Sequence, residues 1–134
     1  MTYLLDTNAI SDLMRSAPGI ENWMAALDPR DRVIVCTIVR GELLFGVARL
    51  PEGRRRTELE DTAHRFLAAF PCEPITARVG DFYAAVKISR QRMGLVLDEN
   101  DLWIAATALA GGATLVSRDR DFAGIEGLAL TTVE

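Results

Sequence analysis

The chain has 134 residues but only one histidine, one lysine and two cysteines. A lone His64 leaves no paired imidazoles for metal-free acid–base chemistry and no completed Ser-His-Asp triad. His64 itself lies in an arginine-rich helical stretch and reads as a solvated surface residue. Cys36 and Cys72 form no CxxC and no zinc-type cluster, so both read as buried free thiols in a reducing compartment. There is no Walker loop and no GxGxxG. Gly41 and Gly46 therefore read as points of close helix packing, and Gly111-Gly112 as a helix stop. No stretch approaches the roughly 20 apolar residues of a membrane span, and the start of the chain lacks a basic leader followed by an apolar run. The expectation is a cytoplasmic protein that does not touch a membrane. Low-complexity segments, linkers and internal repeats are also missing, so residues 1–134 read as one domain.

What is present is an ordinary globular balance, with 49% hydrophobic and 25% charged residues. Fourteen of the fifteen cations are arginine, either for the planar fork that suits phosphate or as a codon bias. The nineteen acids outnumber them and leave a formal charge of −4. That sign alone argues against a nucleic-acid partner, which usually meets a basic surface.

Apolar patterning predicts short buried strands at Tyr3–Leu5, Val33–Cys36, Thr114–Ser117 and Leu128–Leu130, with a short edge strand between Pro71 and Pro74. Helices are predicted between them. One is capped by Asn8, and one starts at Pro18. One is capped by Thr37 and runs to Ala48, and others span about Arg54–Ala69, Thr76 to Gly94 and Glu99–Ala110. All-apolar strands alternating with helices indicate a three-layer α/β/α sandwich around a small, mainly parallel sheet. Ligands of such sheets bind beyond the carboxyl ends of the strands.

Acidic residues mark that rim. Asp6 ends the first strand, Asp119 lies two residues past Thr114–Ser117, Asp101 sits in the first turn of the preceding helix, and Glu42 interrupts an apolar helix. Each has a structural alternative. Asp6 suits a turn, Asp98 with Asp101 a capping box, Glu42 an ion pair with Arg40 or another arginine, and Asp119 with Asp121 loop caps. If the four converge, repulsion is about 4 kcal/mol for each pair 4 Å apart at an effective dielectric of 20, so protons or cations must be present. Oxygen ligands without cysteine or histidine call for Mg²⁺ or Mn²⁺, and such a site suits phosphodiester hydrolysis.

Four segments together resemble the PIN-domain family. They are Leu4-Leu5-Asp6-Thr7-Asn8, Arg40-Gly41-Glu42-Leu43, Asn100-Asp101-Leu102-Trp103-Ile104-Ala105-Ala106-Thr107-Ala108, and Leu115-Val116-Ser117-Arg118-Asp119-Arg120-Asp121-Phe122. They occur in the family's order and spacing across nearly the whole chain. The segment from Gly46 to Arg55 resembles the FitB-like branch of VapC-type toxins. The resemblance implies a Mg²⁺-dependent endoribonuclease, with Mn²⁺ able to substitute, acting as the toxin of a type II toxin–antitoxin pair. Asp6, Glu42, Asp101 and Asp119 then match the catalytic, metal-holding acids, and Asp121 a further acid reaching the metal through water. Thr7, Asn8 and Ser117 match positions that orient the acids or bind water. Asp98 falls outside the quartet and is expected to cap its helix, with a supporting role beside the site.

The resemblance also implies a homodimer and an antitoxin carrying a DNA-binding segment and a tail that wraps the toxin. Ile10, Leu13, Met14, Trp23 and Met24 are candidate contacts for that tail, in competition with a place in the core. Arg118 and Arg120 flank Asp119 and are candidate RNA contacts. Arg49 with Arg54-Arg55-Arg56 either holds phosphates or begins a solvated helix. Two other readings stay open. One is a catalytically silent PIN-like binding or regulatory module. The other is a haloacid dehalogenase-type phosphatase, for which Asp6-Thr7-Asn8 lacks the second acid and only Lys87 could stand as the lysine.

Overall fold

A computed structural model describes residues 1–133. The chain runs β1 (Thr2–Leu5), α1 (Thr7–Met14), α2 (Pro18–Ala25), β2 (Arg32–Cys36), α3 (Thr37–Ala48), α4 (Arg54–Ala69), β3 (Cys72–Glu73), α5 (Ala77–Arg92), α6 (Glu99–Gly111), β4 (Thr114–Ser117), a 3₁₀ turn (Arg120–Phe122) and β5 (Leu130–Thr132). The strands form one sheet in the order β3-β2-β1-β4-β5, and every pairing is parallel. The expected sandwich is therefore present.

Strand order locates the site. From β1 the chain steps outward to β2 and β3, then returns across the sheet to β4 and β5. Right-handed crossovers put the two sets of connecting helices on opposite faces. Accordingly α1 packs on α2, α3 and α4, while α5 packs on α6. The direction of travel reverses between β1 and β4, which opens a crevice beyond their carboxyl ends. Register fixes what borders it, because Leu5 pairs with Val116 and the next residues, Asp6 and Ser117, emerge side by side.

Burial on both faces explains the unbroken apolar strands. Leu4, Leu5, Val35, Leu115 and Val116 are all fully buried, and Ile10, Val39, Ile104 and Phe122 pack beside them. Ile10 and Leu13 belong wholly to this core, while Met14, Trp23 and Met24 are only partly buried against it. Helix α6 ends as expected at Gly112, which adopts φ 61° in the left-handed region that glycine tolerates.

Several local expectations are corrected. Asp6 caps α1, accepting from the Ala9 amide at 2.8 Å, so Asn8 lies inside the helix and is exposed. Cys36 occupies the cap position of α3 without a side-chain cap bond, and Thr37 Oγ1 donates to the Glu73 carbonyl at 3.3 Å instead. Cys72 is exposed because it lies on the two-residue edge strand, whereas Cys36 is buried. The last strand starts at Leu130, since Gly127 (φ 79°) and the Leu128–Ile125 hydrogen bond keep the chain turning until then. A Cβ at Gly41 or Gly46 would meet nothing within 4 Å, so neither glycine marks close helix packing.

Candidate active site

Asp6 is the most confined acid, only 3% exposed. A buried carboxylate needs donors, and two groups supply them while a main-chain bond fixes the residue in place. The Ala9 amide binds Oδ1, Ser117 Oγ donates to Oδ2 at 2.5 Å, and the Asp6 backbone amide is tied to the Val116 carbonyl at 3.1 Å. Burial pushes the Asp6 carboxyl above its ordinary range. The Ser117 and Ala9 bonds pull it back, and Asp119 opposes them by like charge.

Ser117 also accepts from the Asp119 amide at 2.9 Å, so one hydroxyl bridges two of the acids. Asp119 in turn caps the 3₁₀ turn through the Asp121 amide at 2.9 Å. Glu42 forms no ion pair with Arg40. Its Oε1 accepts from Thr7 Oγ1 at 2.6 Å and its Oε2 from Asn100 Nδ2 at 3.2 Å, which joins α1, α3 and α6 at one point. Asp98 caps α6 through the Asn100 amide at 3.1 Å, as expected, but Asp101 does not complete a capping box.

Asp101 registers the convergence. Its carboxyl is raised to about 7, first by burial and then by the like charges of Asp98, Glu42, Asp119 and Asp6. Four acids from α6, α3, the β4 loop and the β1 end thus lie within electrostatic reach of one side chain. They form an open rim rather than a closed cage. Among the described residues no three acidic, histidine or cysteine side chains converge at metal-binding distance. The donor set is still the kind a hard cation takes, because Mg²⁺ keeps several waters and binds through one or two carboxylates.

Other expected site residues fall differently. Thr7 and Ser117 do orient acids, whereas Asn8 is exposed and bonds to none of them. Asp121 is exposed at the rim. Arg118 points its Nε at buried Asp12 at 3.1 Å, and Arg15 binds the other Asp12 oxygen, so Arg118 is committed to α1 while its charge still reaches Asp6. Arg120 is exposed beside Asp119. Of the α4 arginines, Arg54 and Arg56 pair with Glu58 and Glu60, and His64 is exposed. Arg49 and Arg55 border an open groove of about 900 Å³ between α1, α3 and α4, which meets the acidic rim only at Thr7, Glu42 and Asn100. Asn100 and Asp12 were missed by sequence reasoning. Asn100 adjoins Asp101 and is visible as a polar neighbour, while nothing in the sequence around Asp12 signals its burial or its arginine partners.

A parallel α/β sandwich with acids gathered at the switch point between β1 and β4 defines a class of fold and site. The family model for the PIN domain matches residues 3–128, and the chain belongs to the PIN-domain family. It is 32% identical over 123 residues to ribonuclease VapC1 of Haemophilus influenzae, spanning 89% of this chain and 87% of that one. The structure of VapBC2 from Rickettsia felis, bound to a DNA fragment from its promoter, superposes with a TM-score of 0.91 at 25% identity over 100% of both chains. FitAcB from Neisseria gonorrhoeae gives 0.86 at 28% identity, covering 97% and 96%. Among the described residues no helix is long and apolar enough to cross a membrane.

Proposed function

We propose that this protein is a VapC-type endoribonuclease, the toxin of a type II toxin–antitoxin pair, and that Asp6, Glu42, Asp101 and Asp119 hold a catalytic Mg²⁺ for which Mn²⁺ can substitute. The observation that carries the reading is the gathering of acids beyond the ends of β1 and β4, where Ser117 bridges Asp6 and Asp119, Thr7 and Asn100 hold Glu42, and burial with the neighbouring acids raises the Asp101 carboxyl. Such a cluster is costly without a cation and useful with one. A bound divalent ion supplies charge neutralisation at the phosphate and a lowered pKa for attacking water.

The chain's own residues do the positioning. Ser117 and the Ala9 amide hold the Asp6 carboxylate, and Thr7 and Asn100 hold that of Glu42. Burial and the neighbouring acids raise the Asp101 carboxyl, and a divalent cation held here would offset that repulsion. Asp121, exposed next to Asp119, is assigned the further acid that would act through water. Kinship with VapC1, and with chains solved as VapBC and FitAB complexes bound to DNA, supports a ribonuclease activity and an antitoxin partner with a DNA-binding segment. A homodimer fits the same reading.

Purified protein is expected to cleave RNA with Mg²⁺ or Mn²⁺ and to stop on addition of EDTA. Equal cleavage by Asp6→Asn would overturn the assignment. Asn can still cap α1, so that variant separates chemistry from folding.

A further inference from the structure

One charged side chain is buried without a carboxylate partner. Arg90, in the last turn of α5, is only 6% exposed and joins no salt bridge among the described residues. Its Nη2 donates to the Asp121 carbonyl at 3.2 Å and its Nη1 to the Ala123 carbonyl at 3.4 Å, while Nε has no partner. A buried guanidinium is costly to desolvate, and here two carbonyls and the negative end of α5 offset the cost.

Both acceptors belong to the segment that begins with Asp119. That segment is held to the sheet by the Asp119–Ser117 bond and internally by the Asp121–Asp119 and Ala123–Arg120 bonds. Its other tether is the buried Phe122, which is apolar and sets depth without fixing rotation. The planar fork of Arg90 supplies the directional constraint, since two donors in a rigid plane fix two carbonyls relative to each other.

We propose that Arg90 is a positioning residue for the acidic rim, clamping the main chain at Asp121 and Ala123 so that Asp119 and Asp121 are presented at the ends of β1 and β4. The role of those acids rests on the function proposed above, whereas the clamp itself does not. Lysine keeps the charge but offers a point donor that cannot hold both carbonyls in one plane. Glutamine keeps a donor without the charge.

The test is hydrogen exchange on the metal-free full-length chain, with Mn²⁺ titration by calorimetry beside it, for wild type, Arg90→Lys and Arg90→Gln. Amides of Asp121 and Ala123 are expected to exchange roughly tenfold faster in both variants, with amides of β4 unchanged. Mn²⁺ is expected to bind about tenfold more weakly. Unchanged exchange at Asp121 and Ala123 overturns the clamp, as does equal acceleration in β4, which would mark a general packing role. Local acceleration with unaltered Mn²⁺ affinity overturns the positioning role. If wild type binds no Mn²⁺, the metal reading fails while the exchange data still decide the clamp. Should one variant fail to fold, the other decides it.

Discussion

On helix α4, Glu58 and Glu60 each lie one turn from an arginine, and the pairs with Arg54 and Arg56 close at 2.8 and 2.9 Å. At the rim between β1 and β4, Asp6, Glu42, Asp101 and Asp119 form no salt bridge among the described residues, and the first two and the last are held by hydroxyls, an amide side chain and backbone N–H groups. The residue types are the same, but their electrostatics are opposite. The α4 charges cancel locally and contribute little, as exposed pairs do. The rim charges are not paired off in this way, and burial together with them raises the Asp101 carboxyl to about 7. The formal charge of −4 comes to zero without these four acids, since 15 acids then face 15 bases. Net charge therefore misjudged this protein by averaging a concentrated site with its surroundings.

The sharpest way to break the contrast is to compare Asp6→Asn with Glu58→Ala in RNA cleavage at saturating Mg²⁺. The first is expected to lose more than a hundredfold in rate and the second less than twofold. A comparable loss in both would erase the distinction.

Ser117→Ala comes next. It removes the hydroxyl that bridges Asp6 and Asp119, so cleavage should fall roughly ten- to hundredfold and stability by about 1–2 kcal/mol in urea denaturation. A stability loss with intact cleavage would assign Ser117 to the core alone.

The metal-free rim also predicts a pH dependence. Asp6 and Asp101 have carboxyls raised in the folded state, so the native protein binds protons more tightly than the unfolded chain. Their contribution is fully present below about pH 4 and is lost as pH rises through about 7 for Asp101. Asp101→Asn should therefore stabilise the metal-free protein at pH 8 by about 1–2 kcal/mol, because solvent screens this half-buried group, and should not do so at pH 4. Thermal melts at the two pH values check the sign.

The smallest effect belongs to α4. Glu58→Ala should cost about 0.3–0.5 kcal/mol, a loss that shrinks at high salt.

Much of this was legible in the sequence, for reasons visible in particular residues. Leu4-Leu5 and Leu115-Val116 are apolar on both faces because helices cover the sheet twice, and that run marks a parallel strand. The acids at its ends were visible for the same reason, since a polar residue stands out against an apolar run. The cap of α1 was misread because Asp6 and Asn8 are both good capping residues, and only the backbone turn decides between them. Arg118 looked free beside Asp119, yet its partner Asp12 lies 106 positions away. Arg90 left no signal at all, because main-chain carbonyls have no sequence identity.

The bond between Ser117 and Asp6 joins groups 111 positions apart. The rim is therefore a late product of folding in time as well as in sequence. β1 is the central strand, flanked by β2 and β4, and its second neighbour lies more than a hundred residues downstream. Pairings of such separation carry a large loop-closure cost and form slowly. During synthesis at about 5–20 residues per second, roughly 5–20 seconds pass between the emergence of Asp6 and that of Ser117. Throughout that interval Asp6 has no Ser117 to meet, and a partly made chain holds the acids without the site.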